Sequence, residues 1–342
     1  MATLWFWLVA IMISGYVVLD GFDLGAGIVH LLIARSDAEK RAVLASIGPV
    51  WDGNEVWLLA GGGTLYFAFP ALYASSFSGF YLPLMIVLWL LIVRGISVEF
   101  RSHVVSPVWT PIWDAGFTGA SLLLAIFYGA ALGNVVRGVP LDASGAFFLP
   151  LWSDFNPASS GGILDWYTTL TGLAAFAALT MHGALWVRLK SPAPLAARAA
   201  AVVRAAWWLV VTLTLGITAA SFGLQPHLYA RFSEAPWGWL FPVIAVAGLL
   251  GVFLCKEPQT EFLAFLSSCA YLIGMLTSAA FGVYPMLLPA SGDPKLSLTI
   301  ANAAAAEQGL GIGLSWWIPG MILAGAYAVF TYRRFSGKLT LE

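Results

Sequence analysis

Five side chains of the first hundred residues have the types and spacing for proton chemistry: Asp20, Asp23, Asp52, Glu55 and Arg94. All five fall in or at the mouth of long apolar runs, where an ionisable group is costly and faces a protein interior or a water-filled path. Asp20 and Asp23 lie three apart in Leu19-Asp-Gly-Phe-Asp-Leu-Gly25 and share a helix face. Asp52 and Glu55 repeat that spacing in Gly48-Pro-Val-Trp-Asp-Gly-Asn-Glu-Val-Trp57, with Glu55 one turn deeper, so the pair could step a proton inward. Arg94 is the one cation set within a span, and it cannot pair with four acids at once. The surplus carboxyls must be protonated, hydrated or matched from another chain, as a proton-conducting group requires.

Plainer readings stand beside these. Asp52, just after Pro49, suits the positive end of a helix dipole. Asp20 and Asp23 could be interhelical hydrogen-bonding groups, with Gly21 and Gly25 as a small-xxx-small pair that admits a close backbone neighbour. Glu99 and Arg101 read as solvated or snorkelling ends of their span. The four histidines, His30, His103, His182 and His227, show no metal-ligand pairing at helical spacing and read as polar packing or interface residues. Cys255 and Cys269 sit alone in apolar runs as small core residues, and neither a CxxCH haem attachment nor a nucleotide-binding glycine motif is present.

These residues are carried on membrane helices. Of the 342 residues, 60% are hydrophobic and 10% charged, which with a mean hydropathy of +0.85 excludes an ordinary soluble domain. The net charge of −1 gives no support to nucleic-acid binding. The first apolar run lacks a basic n-region and reads as a retained span. At roughly 20 apolar residues per crossing, nine spans are expected, at 4–33, 50–69, 77–100, 115–136, 162–188, 204–224, 238–255, 261–288 and 313–332. With the N-terminus outside, 12 of the 16 Lys and Arg fall on the inner side and only Arg137, Arg231 and Lys295 outside, so the positive-inside rule predicts N-out, C-in. Tryptophan-rich span ends such as Trp5-Phe6-Trp7 and Trp316-Trp317 read as interface anchors. The expected class is an all-α polytopic membrane protein, organised as a first four-helix bundle (1–136), a solvated outer loop (137–161) that includes a Ser-Ser-Gly-Gly run, a second four-helix bundle (162–288), another outer loop (289–312), and a peripheral ninth helix with a cytoplasmic tail (313–342).

Several segments together resemble subunit II of cytochrome bd-type quinol oxidases: residues 19–25 and 48–57, Ser78-Gly-Phe-Tyr81, Arg94 with Glu99-Phe-Arg101, Phe281-Gly-Val-Tyr-Pro285 and Ser297-Leu-Thr299. The likeness is dense over residues 15–101 and thinner after Arg137, and the Trp51–Trp57 run is its most specific part. It implies a bacterial inner-membrane heterodimer with a similarly folded subunit I that holds the b-type and d-type haems and oxidises quinol, while this chain ligates no haem. It implies that Asp52 serves a cytoplasmic proton route at the subunit interface and that Trp57 borders an O₂ entry path. Some members carry glutamine at the Glu55 position, which argues against Glu55 being indispensable, and Glu55, Asp20 and Asp23 stand as proton-transfer candidates on the charge imbalance alone. A structural quinone, present in some members, and small accessory subunits stay open. Two other readings of the same residues are a stand-alone proton-coupled transporter with a midplane site and a purely structural subunit whose acids are interhelical glue.

Overall fold

The computed structural model describes residues 1–104, 106–157 and 161–340. Twelve α-helices carry the chain among these residues: α1 (Ala2–Ile33), α2 (Asp37–Ile47), α3 (Trp51–Ala68), α4 (Pro70–Gly79), α5 (Tyr81–Phe100), α6 (Trp109–Arg137), α7 (Trp166–Lys190), α8 (Ala193–Leu224), α9 (Pro226–Glu234), α10 (Leu240–Leu254), α11 (Glu261–Val283) and α12 (Glu307–Arg334). Helices suit a bilayer because every internal N–H and C=O is satisfied within the segment.

Eight of the helical segments are long and apolar enough to cross a membrane: α1, α5, α6, α7, α8, α10, α11 and α12. The second expected span, 50–69, is helical as α3, but Asp52, Asn54 and Glu55 in its first turns leave its composition short of theirs. Three short helices interrupt the expected loops. Helix α2 is nucleated by a complete capping box, in which Ser36 accepts from the Glu39 N–H and Glu39 reaches back to the Ser36 N–H. Helices α4 and α9 each begin with a proline, which is preset for a first helical turn.

Helix α1 is the hub and packs on α3, α6, α7 and α11. Its contact with α7 is backbone on backbone, since a Cβ at Gly25 would lie 2.0 Å from the Leu179 carbonyl oxygen and one at Gly183 would lie 2.1 Å from the Gly25 carbonyl carbon. The small-xxx-small pair expected from Gly21 and Gly25 thus has its partner in α7. Further pairings are α5 with α6, α6 with α7, α7 with α8 and α10 with α11. Helix α12 stands largely apart, and within its most apolar window no residue is buried.

The two ends of the assembly differ. One, here the basic face, gathers the C-terminal ends of α1, α5, α7, α10 and α12, joined by bonds such as Arg198 to the Ile33 carbonyl and Arg188 to the Lys256 carbonyl. The opposite, loop face is closed by a second apolar cluster that includes Trp5, Phe69, Val139, Leu141, Phe147, Leu149, Leu288 and Leu298. The loop after Arg137 is therefore packed as well as solvated. Phe147 stacks edge-on against Phe80 at 4.9 Å, and Ser75 donates to the Gly145 carbonyl. Ser159 and Ser160 of the Ser-Ser-Gly-Gly run lie outside the described residues. Helix α11 ends at Val283 rather than 288, because the residue before Pro285 is driven out of the helical region. Beyond it the chain forms an antiparallel pair, β1 (Met286–Leu288) with β2 (Leu298–Thr299).

Candidate functional site: a buried acid–arginine cluster

Helices α1, α3, α5 and α12 converge on one polar cluster below the basic face. Arg94, fully buried on α5, meets Asp20 of α1 in a two-bond fork, Nη1 to Oδ2 at 3.0 Å and Nη2 to Oδ1 at 2.5 Å. Such bidentate geometry is the strong form of a carboxylate–guanidinium contact. Glu55 of α3 stands at the rim, its Oε2 3.7 Å from the same guanidinium and its side chain a quarter exposed.

Asp23, one turn from Asp20, pairs with no cation among the described residues. Its Oδ2 accepts from Asn54 Nδ2 at 2.7 Å, and its Oδ1 is buried with no hydrogen-bond partner among them. Asn54 in turn accepts from the Tyr332 hydroxyl of α12 at 2.8 Å, which fixes the orientation of the amide. Tyr16 donates to Tyr128 at 3.0 Å, beside Asp20. The cluster thus holds three carboxyls, Asp20, Asp23 and Glu55, against one guanidinium, and one Asp23 oxygen is without a hydrogen-bond partner among the described residues.

Asp52 is not brought into this cluster. It is exposed on the outer surface of α3, with no hydrogen bond or ion pair among the described residues, while Asn54 faces inward and Glu55 lies between. Trp57 lies against α1, its ring 3.2 Å from where a Cβ at Gly15 would be.

A second cluster, at the basic face, was not evident from the sequence. Asp114 of α6 accepts from His30 Nε2 at 2.8 Å, Lys40 Nζ at 3.0 Å and Arg101 Nε at 2.5 Å. Arg101 also donates to Asp37 at 2.7 Å and is buried, so it is an internal cross-link between α2, α5 and α6 rather than a snorkelling end. Burial pulls the Arg101 guanidinium down, but its bonds to Asp114 and Asp37 outweigh this and raise it; Asp37 is held below the usual carboxylate range, chiefly by the Arg101 hydrogen bond. Glu39, lowered first by the Arg35 N–H and then by Arg198, ties α2 to α8. A clue to Asp37 and Glu39 existed in the Ser36-Asp-Ala-Glu39 capping signature. Asp114 sat at a span edge with nothing to distinguish it. At the loop face Arg137 pairs with Asp165, the N-cap of α7, and with Asn134.

Among the histidines, His182 has both ring nitrogens committed, Nε2 to the Val18 carbonyl at 2.9 Å and Nδ1 to Ser268 Oγ at 2.7 Å. Among the described residues no group of three or more His, Cys, Asp or Glu is placed to hold a metal ion.

Fold and cluster together define an all-helical, polytopic membrane protein built around a buried acid–arginine core. The family model for cytochrome bd terminal oxidase subunit II matches residues 1–335. A probable cytochrome oxidase subunit 2 of Haemophilus influenzae is 32% identical, over 98% of this chain and 94% of the relative. The cytochrome bd-I ubiquinol oxidase subunit 2 of Escherichia coli K12 is 29% identical over 99% and 95%, and the cytochrome bd ubiquinol oxidase subunit 2 of Bacillus subtilis is 29% identical over 97% and 95%. A chain in the structure of bd oxidase from Geobacillus thermodenitrificans superimposes with a TM-score of 0.75 at 17% identity, covering 98% of both chains, and so shares the fold. The chain belongs to the cytochrome bd terminal oxidase subunit II family. It is a subunit of a terminal oxidase, an oxidoreductase.

Proposed function

We propose that this chain is the haem-free subunit of a quinol-oxidising, O₂-reducing complex, stabilising a haem-bearing subunit I and supplying it with protons from the cytoplasmic side. The carrying observation is the surplus of buried acid around Arg94, bordered by a helix face that this chain leaves exposed. On α3, Asp52, Val56, Leu59, Gly63 and Tyr66 are exposed at helical spacing. A carboxylate on such an apolar stripe is costly against lipid and suits a partner subunit or water. In this reading α3 completes the membrane crossings as a ninth span, α1, α3, α5 and α6 form a first bundle, α7, α8, α10 and α11 a second, and α12 is peripheral.

Protons enter at Asp52, pass Glu55 at the rim, and reach the Asp20–Arg94 pair and Asp23. Arg94 holds Asp20 fixed, leaving Glu55 and Asp23 as the groups able to exchange protons. Trp57, packed on α1, borders the O₂ path toward the partner. The haems belong to subunit I. The basic face, with Lys40, Arg101, Arg188 and Lys190, is the cytoplasmic one, which puts the N-terminus outside and the C-terminus inside.

The test is Asp52→Asn in the assembled, purified complex. Quinol-dependent O₂ uptake is expected to fall by about tenfold or more, a barrier increase of at least ~1.4 kcal/mol, with haem content unchanged. Normal turnover removes Asp52 from the route, and isolation of the chain without a haem-bearing partner overturns the oxidase reading.

A further inference from the structure

Asp23 is linked through Asn54 to Tyr332, on a side that Asp52 does not face. A cavity of about 60 Å³ opens at the basic face between Ser46 of α2, Val50, Lys190 of α7, Tyr332 of α12, and Phe335 and Leu339 of the C-terminal tail. That is room for a few waters, and Ser46 and Lys190 in its lining supply polar groups.

The tail crosses this opening and is tied down on both sides. Lys190 Nζ donates to the Phe335 carbonyl at 2.5 Å, the Leu339 N–H donates to the Lys190 carbonyl at 2.8 Å, and Lys338 Nζ reaches Glu261 at 2.8 Å. On the inner side the wall is Tyr332, whose ring packs on Phe22 and Trp186 and whose hydroxyl is bonded to Asn54. Beyond Asn54 is Asp23 with its open oxygen.

We propose that this cavity is a second water entrance to Asp23, roofed by residues 335–340, with Tyr332 and Asn54 as positioning residues that hold its inner wall and aim the carboxyl. The proposal rests on the reading of this chain as a proton-supplying subunit. Asn54 is not itself the carrier, because a proton passing through an amide would leave it as the unfavourable imidic acid. Its two bonds instead keep Tyr332 upright and leave the other Asp23 oxygen unoccupied. A hydrated proton from the cavity then protonates that oxygen, giving a carboxylic acid and water, and release toward Arg94 and Glu55 regenerates the carboxylate.

The opposed faces of α3 make this entrance independent of Asp52. Asn54 looks toward α1 and α12, while Asp52 looks outward. The two paths run in parallel to the same acid, so their fluxes add, and loss of the second entrance shows most where the Asp52 route is already disabled.

The entrance is tested in the assembled complex with Cys255 and Cys269 replaced by Ser and Val50→Cys introduced. A charged methanethiosulfonate reagent is expected to label Val50→Cys several-fold faster when the chain is ended after Arg334 than when the tail is present. Lys338→Ala with Leu339→Ala loosens the roof without shortening the chain and is expected to give the same direction of change. Equal labelling rates with intact, loosened and removed tails overturn the roofed entrance. Separately, at unchanged haem content, Tyr332→Phe is expected to lower quinol-dependent O₂ uptake only slightly in the parent complex, where Asp52 carries most of the flux, and several-fold in the Asp52→Asn background. Loss with Tyr332→Phe beside normal turnover of Asp52→Asn refutes the Asp52 route alone. Turnover of the Asp52→Asn variant left unchanged by adding Tyr332→Phe refutes this entrance and leaves the Asp52 route standing.

Discussion

The Arg94–Asp20 fork can be tested by a double-mutant cycle whose outcome the geometry sets in advance. Both side chains are fully buried, and among the described residues the guanidinium is the only cation facing Asp20 and Glu55. Arg94→Gln therefore strands a buried carboxylate, and breaking a buried pair from one side costs about 3–5 kcal/mol. Asp20→Asn is milder, because Glu55 at 3.7 Å still faces the guanidinium; the loss is that of a charge-assisted hydrogen bond, about 1.5–3 kcal/mol. The double variant replaces the ion pair by two amides that can bond to one another, at a total of about 2–3 kcal/mol, well short of the sum. A coupling of ~2 kcal/mol or more is thus expected, read from SDS-driven unfolding of the purified complex followed by circular dichroism. Additivity within about 0.5 kcal/mol would refute the pairing, as would a costlier Asp20→Asn than Arg94→Gln.

The packing sets two further outcomes. Gly25→Ala places a methyl 2.0 Å from the Leu179 carbonyl oxygen and 2.6 Å from the Gly183 nitrogen, neither of which can swing aside; destabilisation at or above the ~1–3 kcal/mol of ordinary overpacking is expected, against no loss for Gly62→Ala, whose Cβ meets nothing within 4 Å. Equal unfolding curves for the two would contradict the α1–α7 crossing. Asp37 and Glu39 are both held below their ordinary values, so their contribution to docking α2 is complete above about pH 4 and is lost as pH falls through the folded-state values. Amide exchange measured on the complex should show α2 opening before α1 as pH is lowered, and Arg198→Gln should weaken that dependence.

Much of the helical frame was legible because it rests on composition. Runs of about 20 apolar residues have few alternatives, and Asp20, Asp23 and Arg94 stood out by being rare there. The pairing was not legible, since four acids competed for one arginine and only the mutual rotation of α1, α3 and α5 selects Asp20. Helix α2 escaped notice despite its capping signature, because 11 residues that include Asp37, Glu39, Lys40 and Arg41 are too short and too charged for a membrane crossing. Asp114 was missed for a different reason. Its partners come from α1, α2 and the end of α5, up to 84 residues away, and no local pattern encodes that meeting. The loop after Arg137 hid its packing in scattered single residues, Val139, Leu141, Phe147 and Leu149, too irregular to read as an element.

The largest departure from the sequence expectation is at α3. Spacing of three places Asp52 and Glu55 only about 60° apart around a helix, close enough to share a face in a sequence. In the fold that angle straddles a boundary. Asp52 falls outside it and Glu55 on the rim, while Asn54, about 160° around the helix from Asp52, points at Asp23. One turn of helix thus sends its polar groups in separate directions: a carboxylate to the exposed stripe, a carboxylate to Arg94, and an amide to Asp23, the acid that pairs with no cation among the described residues. A single inlet would need these groups in line. Their divergence is what the two proposed entrances require of α3: one side toward the exposed stripe, the other toward Asp23 and Tyr332, with Arg94 between them bonded to Asp20.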